Sequence, residues 1–174
     1  MALYDASTAE CQILTFKEGL LSRVAHDLKF ELRRFRLQVE DETRAIEAEF
    51  ELESIELVCA RKDGRDDPGA LDASDAKKIL SNLRSEVLHT RRFPKARFTS
   101  TRIEPVGEGA IRVEGTLELH GRERTIRGRA LEQEGRWILQ LELHQPDYGI
   151  KPFSAMMGAL KVKPGVQVRI SIPA

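Results

Sequence analysis

Apolar and polar residues alternate through most of the C-terminal half of this chain. Ile111, Val113, Leu117 and Leu119 hold one run, Trp137, Leu139, Leu141 and Leu143 a second, and Val166, Val168, Ile170 and Ile172 a third. Period-two alternation places successive side chains on opposite faces, so these are strands with one buried face. Turn chemistry separates them, at His120-Gly121-Arg122 and at Glu134-Gly135. Strands in close succession joined by tight turns predict an antiparallel meander. A meander this long tends to close into a barrel, and a barrel has an interior that can hold a ligand.

The N-terminal half carries the same pattern with interruptions. Cys11, Ile13 and Thr15 begin a first strand that ends near Phe16. Leu28, Phe30 and Leu32 run in even phase, and Phe35, Leu37 and Val39 in odd phase. The slip at Arg33-Arg34 predicts a bulge or tight bend. Ile46, Ala48, Phe50 and Leu52 point inward, Glu47, Glu49, Glu51 and Glu53 outward, and the phase slips again before Ile55 and Leu57. Two slips in long strands fit strong barrel curvature.

Residues 61 to 71 are a polar loop rich in Gly, Pro and Asp. A helix follows, with Asp72 as its N-cap and Ile79, Leu80, Leu83 and Val87 as its apolar stripe. Pro94 is expected to stop it, and the helix to cover one end or flank of the barrel. Between Gln145 and Pro164 the alternation vanishes, which predicts a lid or opening loop rather than a strand. This stretch holds Tyr148, Phe153, Met156 and Met157. Adjacent methionines in a loop are adaptable apolar surface, suited to a soft ligand or to plugging a core. No internal repeat or low-complexity tract divides the chain, so residues 1–174 read as a single domain.

Several motifs together resemble the YceI-like family of lipocalin-like barrels. They are Gly115-Thr116-Leu117-Glu118-Leu119-His120-Gly121, the step Tyr148-Gly149-Ile150, and the last strand Val166-Gln167-Val168-Arg169-Ile170. Upstream, Phe93-Pro94-Lys95-Ala96-Arg97-Phe98-Thr99-Ser100-Thr101 completes the set, and His26 falls near where many members carry a histidine. The expected fold class is therefore all-β with one covering helix: an extended antiparallel β-barrel of about eight strands. The resemblance implies a pore that holds a long apolar chain such as an isoprenoid quinone or polyprenyl phosphate.

Composition narrows the partners. Lys and Arg total 28, as do Asp and Glu, so the formal net charge is zero. A nucleic-acid-binding domain is usually basic, so nucleic acid is not the expected partner. Apolar residues are 41%, enough for one core, and no apolar run is long enough to span a bilayer. The N-terminus has no basic start or long apolar stretch, which reads as a cytoplasmic protein. Cys11 and Cys59 are the only cysteines, without a C-x-x-C motif, and read as buried free thiols.

Little catalytic chemistry shows. His26, His89, His120 and His144 lack metal-ligand spacing, so no metal and no cofactor are expected. His26-Asp27 fits either a strand-start hydrogen bond or a base with an orienting carboxylate. His120 reads as a hairpin residue, and His144 as facing water. Arg127 and Arg129 read as a solvated outer face. Ile126, Gly128 and Ala130 face inward, the small residues leaving space.

Three functions remain open. The first is a carrier of a hydrophobic small molecule. Its expected apolar lining and lid are Phe16, Leu28, Phe30, Phe50, Phe98, Leu117, Leu119, Ile126, Trp137, Leu139, Tyr148, Phe153, Met156 and Met157. His26, His120 and Arg124 are its candidates for holding a head group at the mouth. The second is a filled-barrel interaction or stress-related module without ligand. The third is a histidine-dependent enzyme, the reading with least support. A homodimer through an exposed edge is compatible with the pattern but not required by it.

Overall fold

The structure, a computed structural model, describes residues 1–19 and 25–174. Its first strands are β1 (Ala2–Tyr4), β2 (Glu10–Thr15), β3 (Lys17–Glu18), β4 (Asp27–Leu32), β5 (Phe35–Val39), β6 (Ile46–Glu51), β7 (Ile55–Lys62) and β8 (Arg65–Asp67). Helix α1 (Ala73–Asn82) follows. The remaining strands are β9 (Lys95–Gly107), β10 (Ala110–Leu119), β11 (Arg122–Gln133), β12 (Arg136–His144), β13 (Ser154–Ala155), β14 (Leu160–Val162) and β15 (Gly165–Pro173). Twelve of these segments form one curled sheet in the order β1-β5-β6-β9-β10-β11-β12-β15-β2-β4-β7-β8, antiparallel throughout.

The two phase slips are what closes that sheet. β4 and β5 are one strand bent at Arg33-Arg34, and β6 and β7 are one strand bent at the 3₁₀ turn Leu52–Ser54. The ladder crosses the bend: Arg33 N–H donates to the Ser54 carbonyl at 3.2 Å, and Glu51 N–H to the Arg34 carbonyl at 3.0 Å. Ser54, 5% exposed, pins it, its hydroxyl oxygen accepting from Arg34 N–H at 2.9 Å. One end of this bent hairpin pairs with β2 and the other with β9. Counted as continuous strands, eight complete the circuit. The strand count nevertheless differs from the expected eight: the sheet is divided into twelve segments once β1 and β8 are added at the edges, and a three-stranded sheet stands beside it. Those two free edges are three residues each, and such short edges give a second copy little backbone to pair with.

Most of the core sits under the bent hairpin. Leu28, Phe30, Leu32, Phe35, Leu37, Ala48, Phe50 and Leu52 are all below 9% exposed, in the phases the alternation predicts. A second cluster of Val87, Leu117, Tyr148 and Ile150 fills the helix end.

The helix begins where expected, with the Asp72 carboxylate accepting from Asp75 N–H at 2.8 Å. It stops earlier than expected. A π-turn over Leu83–Val87 leads to His89, whose φ of 48° ends the helix well before Pro94. The stretch between Gln145 and Pro164 is also more ordered than its pattern suggests. It contains β13 and β14, which join β3 in a small three-stranded sheet. These pairs are two residues long, too short for alternation to register.

Candidate functional site

One wall of the barrel interior is left partly open. Four cross-strand pairs of β12 and β15 lie in register on one face: Trp137 with Ile172, Leu139 with Ile170, Leu141 with Val168, and Leu143 with Val166. All eight are only half-buried, although Val168, Ile170 and Ile172 pack against the main core and so face inward. The run spans ~20 Å at about 3.4 Å per residue. On β11 the same face carries Ile126, Gly128 and Ala130. The expected space beside Gly128 is partly taken: a Cβ there would lie 2.5 Å from Leu139 Cδ1.

The sequence-predicted lining therefore divides. Leu28, Phe30, Phe50, Leu117 and Tyr148 are between 2% and 8% exposed and pack against other side chains. Ile126, Trp137 and Leu139 are half-buried at the wall, and Phe98 and Leu119 are half-buried against the core clusters. Phe16 and Phe153 are half-buried too, beside the small sheet. Met156 and Met157 do not join the lining: they are 67% and 107% exposed, on a turn where both have positive φ. Leu141, Leu143, Val166, Val168, Ile170 and Ile172 complete the wall. Their alternation was visible, but alternation marks an inward face without saying whether that face is covered.

At the helix end lies an open pocket of about 950 Å³, lined mostly by polar and charged residues. The C-terminal half of the helix, residues 89–93, the β10–β11 hairpin and Gly149 line it. His120 sits at its base. The His120-Gly121 turn has φ of 53° and 74°, the left-handed pair that a two-residue hairpin demands. His120 Nδ1 lies 3.2 Å from the Tyr148 carbonyl, which can only accept, so Nδ1 holds the proton and donates. The ring packs at a tilt against Phe93 and His89, with centroids 4.3 Å and 5.5 Å away. Burial holds its imidazole below the ordinary value, against the pull of the Tyr148 hydrogen bond, and His89, Arg92 and Arg122 add to the depression.

The other head-group candidates do not converge on it. Arg124 lies on the same inner face of β11, opposite Leu117, and donates to the Glu123 carbonyl at 2.8 Å. His26 does not line this cavity, and Asp27 beside it accepts from Lys17 N–H at 2.8 Å. His144 is exposed and 3.3 Å from Asp147. Among the described residues, no three His, Cys, Asp or Glu side chains are grouped to hold a metal. Two of the four outward glutamates are matched: Glu49 meets Lys95 and Arg97, and Glu51 meets Arg34. No helix among the described residues is long and apolar enough to cross a membrane.

A family model for the YceI-like domain matches residues 9–174. The chain belongs to the YceI-like family. Solved structures agree on the fold. A Burkholderia cenocepacia protein, BcnA, superposes with a TM-score of 0.69 at 14% identity, over 98% of each chain. A polyisoprenoid binding domain from Saccharophagus degradans, implicated in plant cell wall breakdown, gives 0.59 at 13% identity over 99% of this chain and 97% of that one. A Campylobacter jejuni YceI protein gives 0.59 at 10% identity, over 83% and 82%. Among proteins with curated descriptions, none matches.

Two family motifs meet in space, with a steric reason for both. The glycines of the Gly115–Gly121 strand lie under the phenylalanines of the Phe93–Thr101 segment. A Cβ on Gly115 would lie 2.5 Å from Phe98 Cζ, and one on Gly121 would lie 2.9 Å from Phe93 Cε1. Phe98 and Leu117 are cross-strand partners, which fixes this register.

Both cysteines of this YceI-like protein are free and buried. Cys11 is 2% exposed, and burial, with Glu31 nearby, pushes its thiol up to about 12. Cys59 is 8% exposed and raised by burial, with Asp66 adding. The thiolate is the reactive form, so neither should react with a thiol reagent at pH 8 until the protein unfolds. A value raised in the folded state also means that the unfolded chain loses the proton first, near pH 8.5. The contribution of Cys11 to stability is therefore full below that pH and lost as pH rises toward 12. Labelling kinetics with and without urea check the first point; labelling of Cys11 in the native state at pH 8 would contradict it.

Proposed function

We propose that this protein binds a long apolar isoprenoid-type chain, of the quinone or polyprenyl phosphate class, along the open wall of its barrel. It acts as a carrier and not as an enzyme. The observation that carries this reading is the in-register set of eight half-buried apolar side chains on β12 and β15. An inward-facing apolar stripe left partly uncovered is a surface that a ligand can complete. Covering it with a hydrocarbon chain contributes about 0.8 kcal/mol per CH₂ removed from water, so affinity needs little polar machinery. Membership of the YceI-like family and the fold shared with a polyisoprenoid binding domain support the same class of ligand.

A filled-barrel interaction module is the second reading. Five of the expected lining residues close part of the interior with their own side chains, which favours it. Uptake of a neutral isoprenoid quinone from detergent, followed by native mass spectrometry, separates the two. The carrier reading expects a near one-to-one complex in the wild type. Leu141→Asp, at a half-buried wall position, should weaken it at least about tenfold, a loss of ~1.4 kcal/mol or more. Absence of uptake by the folded wild type would turn the assignment to the filled module.

A further inference from the structure

We propose that the polar cavity at the helix end binds an oxyanion of the phosphate class, held by Arg84, Arg92, Arg122 and His120. Lys77, Arg84, Arg91, Arg92 and Arg122 line it, against a single carboxylate, Glu53. The chain as a whole is neutral, so this charge is local. Elsewhere Arg33, Arg34, Arg61, Arg97, Arg112 and Arg127 are each matched to a carboxylate. Among the described residues, none of the five cavity cations is in an ion pair. Unpaired cations gathered in a concave site raise the local concentration of anions.

A second observation is independent of charge. Among the described residues, just two buried side-chain N or O atoms lack a hydrogen-bond partner, Arg84 Nε and His120 Nε2. Both residues line this cavity. Buried polar groups are satisfied almost everywhere in folded proteins, so two exceptions at one place point to a missing partner. Arg84 is itself anchored, its Nη2 donating to the Ile55 carbonyl at 2.8 Å. With Nδ1 committed to Tyr148, neutral His120 offers Nε2 as an acceptor for a phosphate hydroxyl. Protonated, the same atom donates to an oxyanion. The charged and titratable groups around that ring are His89, Arg92 and Arg122, with Arg84, Arg91, Lys77 and Glu53 in the same cavity.

About 950 Å³ exceeds one phosphate, and Leu80 and Phe93 on the wall leave room for an organic group. The site is distinct from the apolar wall. Gly149 lines the cavity while its neighbours Tyr148 and Ile150 are buried in the second cluster, so this segment stands between them. The phosphate could belong to a free small molecule or to the head of a lipid.

Calorimetric titration of the full chain with inorganic diphosphate, and separately with geranyl diphosphate, tests this. Diphosphate should bind the wild type, with the His120 ring resonances shifting in parallel. Arg122→Gln, at an exposed position that leaves packing intact, should weaken it about tenfold or more, as should Arg92→Gln. Arg129→Gln, outside the cavity, should not. Equal affinity for the two ligands identifies a free phosphate compound. Much tighter geranyl diphosphate binding that is lost in Leu141→Asp identifies a lipid head group; either result upholds the site. No diphosphate binding at millimolar concentration, or equal weakening by Arg129→Gln, overturns it. Neutral quinone uptake by Arg122→Gln stays as in the wild type, so the two assignments fail separately.

Discussion

Phe30→Ala should cost this protein about 3–5 kcal/mol of stability, the range for deleting a buried aromatic ring. Phe30 is 2% exposed on β4, opposite Ile13 on one side and Leu57 on the other. It sits beside a register shift between Lys29 and Phe30, where the strand turns toward its bend. The ring joins β2, the bent hairpin and the main core at once, so little can collapse into the space it leaves. A loss of this size would lower the melting temperature by ~6–20 °C for a chain of this length. Leu141→Ala is the paired measurement. Leu141 is only half-buried on the open wall, so its loss should be ~1 kcal/mol, well short of a core deletion. Urea unfolding of both variants decides the matter. Equal losses would mean that the wall is packed like the core, and the carrier reading would lose its main support.

Much of this architecture was legible because side-chain phase is a local property. The slips at Arg33-Arg34 and before Ile55 are one-residue events in the alternation, and each coincides with a bend that hydrogen bonds carry across. The Asp72 cap was legible for the same reason. Closure was not written in any one segment. It depends on the bent hairpin pairing with β2 at one end and β9 at the other, which are contacts across long stretches of chain. Nor does alternation report whether an inward face is covered. Leu141 and Phe30 obey the same rule and end in different surroundings: Phe30 belongs to the main core with Leu28, Phe35 and Phe50, while Leu141 stays half-buried. The helix end is not legible in the sequence, because Pro94 is a strong local signal, whereas the left-handed turn at His89 is held by Thr90 N–H donating to the Arg84 carbonyl. The cation-lined cavity had no sequence signature, since its residues come from four separate stretches.

The candidate site divides along that same contrast between filled and open. Of the expected lining, the residues on β4 and β6 and Leu117 on β10 became core, and those on β11 and β12 became wall. The head-group candidates followed the same logic. His120 is a turn residue, and the turn is what delivers its ring to the cavity. Arg122, two residues on, shares Arg124's inner face but stands nearer the hairpin, where it reaches Gly149.

The other large effect should come from Gly115→Ala, which adds a single methyl group. Gly115 is buried where β9 and β10 shift register between Glu114 and Gly115. Its Cβ would lie 2.5 Å from Phe98 Cζ and closer still to the Thr99 carbonyl oxygen. The ring could move, but the carbonyl belongs to the facing strand and cannot shift without breaking the ladder. Overpacking of this kind costs about 1–3 kcal/mol where side chains can adjust, and the backbone contact puts Gly115→Ala at or above that upper end. Phe98→Ala added to Gly115→Ala should therefore fail to restore stability. Gly128→Ala is the informative contrast. Its nearest atom is Leu139 Cδ1 at 2.5 Å, the tip of a flexible side chain with open wall beside it. That variant should stay within ~1 kcal/mol of the wild type while pushing Leu139 into the space a ligand would use, so it should weaken quinone uptake with the fold intact. Thermal unfolding and uptake measured on both variants separate the two glycines. A Gly115→Ala protein as stable as the wild type would show that the β9–β10 bulge yields, and that the pairing of the two family motifs is looser than their contact implies.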